Sequence, residues 1–288
     1  MSQTQTGAVD AAPQNTPEKS GLQGFNVLLM GPTGAGKTHA LRTLVDQGLE
    51  VFALFTEPGM EVVGDIPSDK LKWAYVPPAT AGWEVLLRNA QRINSMSYEG
   101  LSKMGDLNKK DYGQFLKIVS TLANFVDERT GEEFGAVDQF GTGRVLYLDS
   151  LTGLSKMAMD LVVGAKPTKS MPDWMVAQDN LERLIDMLTN STRCHFVMTA
   201  HLERETDEVT GGVQLMASTL GRKLAPKLPR NFSDVIHCVR RGEEFLWSTA
   251  SPNVDTKARN LPISDRITPD FGQVLEKWKS RGGIIEAN

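Results

Sequence analysis

Eight consecutive residues, Gly31-Pro32-Thr33-Gly34-Ala35-Gly36-Lys37-Thr38, carry the most specific chemistry in this chain. They satisfy G-x-x-x-x-G-K-[ST] at every fixed position, the pattern of a loop that cradles phosphate. Gly31, Gly34 and Gly36 let the backbone curl until successive N–H groups face inward on an anion. A helix opening at Lys37 aims its positive end at the same anion. The Lys37 ammonium then reaches the β- and γ-phosphates, the Thr38 hydroxyl is placed to ligate Mg2+, and His39 follows at the edge of the nucleotide. A Gly-rich turn that binds nothing shares much of this pattern. Context separates the two, because a phosphate loop needs a strand before it and a helix after it.

Such a site is completed by an acid at the end of a buried strand. Asp149 ends Val145-Leu146-Tyr147-Leu148 and is the candidate for holding Mg2+ through a water. Asp149 or Ser150 can also cap the helix that starts at Leu151, and one residue can serve both needs. Two other patterns fail. Asn108-Lys109-Lys110-Asp111 spells N-K-x-D, but it precedes the Asp149 strand instead of following it, and Asp149-Ser150-Leu151-Thr152-Gly153 misses the D-x-x-G spacing. That excludes a GTPase of the usual type. His39, His195, His201 and His237 show no metal-ligand spacing, which excludes a metal hydrolase.

The elements that must position these residues read as alternating strands and helices. Residues 1–20 lack periodicity and read as a flexible tail, with one domain over 21–288. Phe25–Met30, Val51–Phe55, Lys72–Val76, Val145–Leu148 and Cys194–Thr199 are short apolar runs of the kind that form buried parallel strands. Helices are expected over His39–Val45, Gly82–Ile93, Tyr112–Val126, Leu151–Val163, Asp173–Leu188 and Phe271–Lys279. In the second of these, Trp83, Val85, Leu86, Ala90 and Ile93 are available for a buried face, and in the fifth the apolar positions are Met175, Val176, Leu181, Leu184, Ile185 and Leu188. Residues 95–143 read as an insertion within the domain, and 202–219 as a long loop or weak hairpin. Val235–Val239 and Phe245–Thr249, joined at Gly242, predict a C-terminal β-hairpin. The fold class is α/β with a mainly parallel central sheet flanked by helices.

Composition narrows the rest. The 288 residues hold 31 Lys and Arg against 35 Asp and Glu, a formal net charge of −4, which argues against a histone-like nucleic-acid binder. Cys194 and Cys238 sit inside apolar runs and are expected as small buried hydrophobes, in keeping with a cytoplasmic setting. No apolar stretch approaches the roughly 18 residues that a membrane span needs, and no signal pattern opens the chain.

The ordered series of motifs resembles the RecA-type core ATPases (RecA, KaiC and DnaB relatives), and more closely the phage-encoded RecA-core proteins that include single-strand annealing recombination proteins. The resemblance covers roughly residues 25–265. It rests on Gly31–Thr38, Val51–Glu57, Val145–Ser150, Val197–His201 and Gly221–Lys223 with Pro226–Pro229. It implies a P-loop NTPase of RecA-like type that binds and hydrolyses ATP with Mg2+, assembles as a homo-oligomer and acts on single-stranded DNA in recombination, annealing or repair. The setting would be a host cytoplasm. The resemblance further implies that Glu57 is the catalytic glutamate that orients and deprotonates the attacking water, with Glu61 competing for the role. His201 would be the γ-phosphate sensor. Lys223, within a basic cluster with Arg222, Lys227 and Arg230, would reach a neighbouring subunit's ATP or a DNA phosphate. Glu203, Glu205, Asp207 and Glu208, against Arg204 alone, give the loop after His201 an acidic balance. That balance keeps a second reading open, an ATP-gated assembly or signalling ATPase without DNA binding. A small-molecule kinase on the same loop would need an acceptor pocket and a basic lid.

Overall fold

Val27, Leu28, Leu29 and Met30 are all buried, as are Val51 to Phe55 and Val145 to Asp149. Strands with no exposed side need cover on both faces, so helices must flank the sheet. The computed structural model, which describes residues 21–78, 82–104, 109–206 and 212–287, has that architecture. The expected tail at 1–20 lies outside the described residues. In chain order the elements are β1 (Asn26–Met30), α1 (Leu41–Asp46, entered through a 3-10 turn over Thr38–Ala40), β2 (Glu50–Phe55) and β3 (Leu71–Tyr75). Then come α2 (Trp83–Asn94), α3 (Tyr98–Ser102), α4 (Gln114–Ala123), β4 (Arg144–Asp149), α5 (Leu151–Val163) and α6 (Met171–Asn190). The chain continues through β5 (His195–Ala200), β6 (Leu202–Thr206), β7 (Val213–Ala217), α7 (Gly221–Leu224), β8 (Asp234–Arg241), β9 (Glu244–Ser248) and α8 (Phe271–Ser280).

Seven strands form one sheet in the order β3-β2-β4-β5-β1-β8-β9. All neighbours run parallel except β8 and β9, which form the expected C-terminal hairpin. Alternate residues of each strand feed two cores. Val27, Leu29, Val51, Phe55 and Tyr147 pack with Leu41 and Leu44 of α1 and Val274 and Trp278 of α8. Leu28, Phe52, Leu54 and Leu148 pack on the other side with Ile118 of α4, Leu154 of α5 and Leu181 and Ile185 of α6. Each such side chain contributes about 1.5–3 kcal/mol by leaving water. Helix starts follow local chemistry. Ser170 and Asp173 form a capping box at α6, and Asp270 accepts from the Gly272 N–H at 2.7 Å to open α8.

Two places differ from the sequence reading. Helix α2 forms where expected, yet none of its residues is buried and Trp83 is 86% exposed. Periodicity gives a helix an apolar face without supplying anything to cover it. Met175 and Val176 of α6 are likewise exposed, beside the buried Leu181 and Leu184. Of the long loop or weak hairpin expected over 202–219, the described residues form the hairpin, with β6 and β7 paired antiparallel, while 207–211 lie outside the described set.

The segment read as an insertion contributes to the core from α4 onward. Phe115, Ile118, Leu122, Phe125 and Phe140 enter the core. Beyond α4 the chain also closes the edge of the sheet. On β3 the outward N–H groups of Trp73 and Tyr75 donate to Asp127 Oδ1 and Glu128 Oε1, both at 2.9 Å. The Glu128 N–H returns a bond to the Trp73 carbonyl at 2.9 Å, and the Arg129 guanidinium lies 4.0 Å from the Trp73 ring centre. A bare edge strand invites pairing with another chain, and these carboxylates occupy it instead. Asp127 is fully buried and also accepts from the Thr130 hydroxyl at 2.8 Å. Asp127→Ala leaves a buried donor unpaired at a cost of about 1–3 kcal/mol. The expected outcome is a thermal midpoint lowered by several degrees with more aggregation, measured by calorimetry and light scattering. An unchanged midpoint would show that the edge does not depend on this carboxylate.

Candidate functional site

The phosphate-binding pattern lies where β1 runs out, at the carboxyl end of the sheet, where open α/β sheets bind ligands. Two glycines have structural reasons to be there. A methyl group on Gly31 would sit 2.6 Å from the Cys238 carbonyl oxygen, so the loop leaves β1 hard against β8. Gly36 has φ +79°, in the region that favours glycine, and its Cα faces the Phe245 ring. Lys37 is buried, and its ammonium donates to the carbonyls of Gly31 at 2.8 Å and Pro32 at 2.9 Å. Burial lowers its pKa, against opposing pulls that include the Asp149 and Glu57 carboxylates.

Asp149 ends β4 with both oxygens engaged. The Thr38 hydroxyl donates to Oδ2 at 2.6 Å and the Thr199 hydroxyl to Oδ1 at 2.5 Å. Glu57, just past β2, is half-buried, and its Oε2 accepts from the Ser150 hydroxyl at 2.9 Å and meets His201 Nε2 at 3.1 Å. The His201 bond, aided by Ser150 and the Lys37 charge, holds the Glu57 carboxyl below the usual range although burial opposes it. His201 is tied onward: its N–H donates to the Thr152 hydroxyl at 3.2 Å, and its carbonyl accepts from the Ser218 N–H at 2.7 Å, where β7 has just ended.

The loop from Thr33 to His39 lines a single cavity of about 880 Å³ together with Glu57, Asp149 and His201. Gly31 and Pro32 lie behind it, as acceptors for Lys37. Glu61 is exposed on the 3-10 turn after Gly59 and does not line the cavity. Lys223 is exposed on α7 and is not brought to the cavity of its own chain. Of its neighbours, Lys227 and Arg230 reach Glu182 at 3.3 and 2.8 Å, and the Arg222 side chain lies outside the described residues. Lys257 donates to the Phe232 carbonyl at 2.6 Å, closing a loop. Both cysteines are free and buried as expected, and burial pushes each thiol up to about 12.

Three side chains at this site were not legible as functional. Tyr147 is fully buried and donates its hydroxyl to the Lys37 carbonyl at 2.7 Å, bracing the loop from beneath. A signal existed, since strand alternation puts Tyr147 and Asp149 on one face. Thr199 is a polar residue inside an apolar strand, and Ser150 was read only as a cap. Both hydroxyls orient a carboxylate.

The sequence matches the model of the AAA domain family over residues 23–260. The chain belongs to this family. Its phosphate-loop sequence and mainly parallel sheet accord with a nucleotide-binding ATPase domain of the AAA type. No curated protein matches the sequence. Among solved structures, the AAA domain is similar to a prototypical ATPase from the type III secretion system of pathogenic bacteria. Identity is 14% and the TM-score 0.40, over 82% of this chain and 58% of that one. It is similar to the assembled ATPase EscN of the enteropathogenic E. coli type III secretion system at 14% identity and TM-score 0.40, over 82% and 48%. The RadB recombinase follows at 13% identity and TM-score 0.37, over 86% and 90%. This chain thus spans about half the length of the secretion ATPases it matches. Among the described residues, no helix of this AAA domain is long and apolar enough to cross a membrane.

The Glu57 contacts give a direct expectation. A carboxyl held below its ordinary pKa stabilises the fold at neutral pH and gives that stability up as pH falls through its folded pKa. In His201→Ala the main cause is gone, so Glu57 should titrate at higher pH than in the wild type, followed by the carboxyl 13C shift. An identical titration would show that His201 does not hold the carboxylate.

Proposed function

We propose that this AAA domain is a Mg2+-dependent ATPase that acts on single-stranded DNA, in recombination, annealing or repair of the phage type, as a homo-oligomer in the cytoplasm. The observation that carries the catalytic half is the gathering of Lys37, Thr38, Asp149 and Glu57 on one cavity at the end of the sheet. The DNA half is supported by the motif resemblance. It is also supported by the run of bonds from Glu57 through His201 to Ser218, which joins the cavity to the β6–β7 hairpin.

In this reading the loop from Thr33 to His39, with Gly31 and Pro32 behind it, wraps the phosphates with backbone N–H groups, and Lys37 exchanges its two loop carbonyls for the β- and γ-phosphate oxygens. The Thr38 hydroxyl and the Asp149 carboxylate are hard oxygen donors 2.6 Å apart, a donor pair that suits Mg2+. Bound there, Mg2+ would neutralise charge developing on the transferred phosphoryl group. Glu57 positions the water for in-line attack. Its lowered pKa makes it a weak base, so orientation outweighs the proton abstraction first expected of it. His201 senses the γ-phosphate through Glu57. Lys223, exposed on α7, acts in trans on the neighbouring subunit's nucleotide.

A second reading, an ATP-gated assembly protein without DNA binding, is favoured by a specific observation: Lys227 and Arg230 both pair with Glu182, and Glu203 and Glu205 sit on the hairpin. ATP hydrolysis with and without single-stranded DNA separates the two. Wild type should hydrolyse ATP faster with DNA, with the stimulation fading as salt rises. Lys37→Ala should abolish hydrolysis, and Glu57→Gln should bind ATP but hydrolyse it about 100-fold or more slowly. Hydrolysis indifferent to DNA at every salt concentration would reject the DNA reading, and full activity in Lys37→Ala would reject the site. Thr199→Val removes the donor that orients Asp149 without changing the side chain's shape. It should raise the Mg2+ concentration needed for half-maximal hydrolysis by about 10- to 100-fold. An unchanged Mg2+ requirement would remove Thr199 from the metal site.

A further inference from the structure

The cavity that holds the phosphate loop has a second wall made by elements far along the chain. Phe245, the second residue of β9, and Pro269, just before α8, line it beside Gly36, His39 and Ala40. The Phe245 ring meets the loop itself. A methyl carbon on Gly36 would lie 3.0 Å from its Cδ1 and 3.5 Å from its Cγ. The ring is 43% exposed, a large apolar surface facing a polar site. It is also held from its own hairpin. Arg240 is its direct partner across β8 and β9, with the guanidinium 5.4 Å from the ring centre, and Arg240 Nε is fixed to the Gly242 carbonyl at 2.9 Å. Two residues past Pro269, the Phe271 N–H donates to the Thr43 hydroxyl of α1 at 3.0 Å, tying the start of α8 to the helix that follows the loop.

Phosphate oxygens have no use for a phenyl ring and a proline. A heterocyclic base does, because every base has a π-face, and stacking on an aromatic side chain tolerates any of them. The side chains that can read a base edge are sparse. Asp149 has both oxygens taken by Thr38 and Thr199, Glu57 has one oxygen held by Ser150 and His201, and among the described residues the lining contains no Asn, Gln or Arg. We infer that Phe245, with Pro269 beside it, is the platform on which the base of the bound nucleotide stacks, and that this platform makes the site tolerant of adenine and guanine alike. This rests on the nucleotide reading of the cavity and adds a specificity-determining residue and a substrate range to it.

Titration of the full chain with ATP, ADP, GTP and inorganic tripolyphosphate by calorimetry tests the inference on wild type, Phe245→Ala, Phe245→Tyr and Lys37→Ala. In Phe245→Ala, ATP, ADP and GTP should each bind about 10- to 100-fold more weakly while tripolyphosphate binds as in wild type. Phe245→Tyr should restore nucleotide affinity, and ATP and GTP should bind wild type within about threefold of each other. Unchanged ATP affinity in Phe245→Ala overturns the inference while leaving the nucleotide site standing. Equal loss of tripolyphosphate also overturns it, since the ring would then be shaping the loop and not holding a base. A preference of tenfold or more for ATP over GTP overturns the tolerance. Failure of wild type to bind either ATP or tripolyphosphate, or unchanged ATP binding in Lys37→Ala, rejects the nucleotide reading itself.

Discussion

Thr38, on the turn that follows β1 and its loop, and Asp149, at the end of β4, are set by strands that are not neighbours, and the site depends on closing that gap. In the sheet, β5 stands between β1 and β4, so the loop after β1 meets the end of β4 only across a third strand. The Asp149 carboxylate spans the distance. One oxygen takes the Thr38 hydroxyl from the loop, and the other takes the Thr199 hydroxyl from the intervening strand. Asp149 is 9% exposed, and a carboxylate so far from water is tolerated only when its oxygens are hydrogen-bonded. Each threonine therefore fixes the acid, and the acid fixes both strand ends. Two residues earlier on β4, the Tyr147 hydroxyl holds the Lys37 carbonyl. The loop is thus pinned to β4 from above and from below.

That arrangement tolerates little movement in the sheet beneath it. A shift of one residue between β4 and β5 would turn Tyr147 and Thr199 to the opposite face. Register is held by burial on both sides, where Val145 and Tyr147 face α1 and α8 and Leu146 and Leu148 face α5 and α6. The carboxylates that cover the β3 edge serve the same end. They complete the hydrogen bonding of the outermost strand with groups from the chain itself, so the sheet ends where the sequence ends it.

Much of this was legible because the signals were local. The strand before Gly31, the helix after Lys37, Asp149 at a strand end and the β8–β9 hairpin each depend on neighbours in sequence, and each is where the pattern put it. Burial was legible only where a helix had a partner. Leu181 and Ile185 of α6 are buried, but Trp83 and Leu86 on the equally periodic α2 are not, since the partner is a fact of tertiary structure. The same limit hid Thr199, Tyr147 and Phe245. Their roles come from meeting Asp149, Lys37 and Gly36 at separations of 50, 110 and about 209 residues, and no spacing rule reaches that far.

The choice between Glu57 and Glu61 shows what geometry adds to a motif. Both are acids just past β2, and sequence alone left the pair open. Glu61 is exposed on its 3-10 turn, whereas Glu57 is drawn into the cavity by Ser150 and His201. Both partners take Oε2. Among the described residues no protein group donates to Oε1, so Glu57 can hold a water with one oxygen while the other stays fixed. A carboxylate anchored in this way and kept below its ordinary pKa is poorly suited to removing a proton but well suited to aligning a nucleophile. For a loose phosphoryl-transfer transition state, alignment is the larger need, because the attacking water carries little charge until late. The anchor also sets the cost of signalling. Any event that moves Glu57 must break its bond to His201, whose backbone holds the Ser218 N–H at the foot of the β6–β7 hairpin. In the proposed reading, the carboxylate that orients the water and the residue that supports the hairpin are therefore adjacent links of one chain of hydrogen bonds.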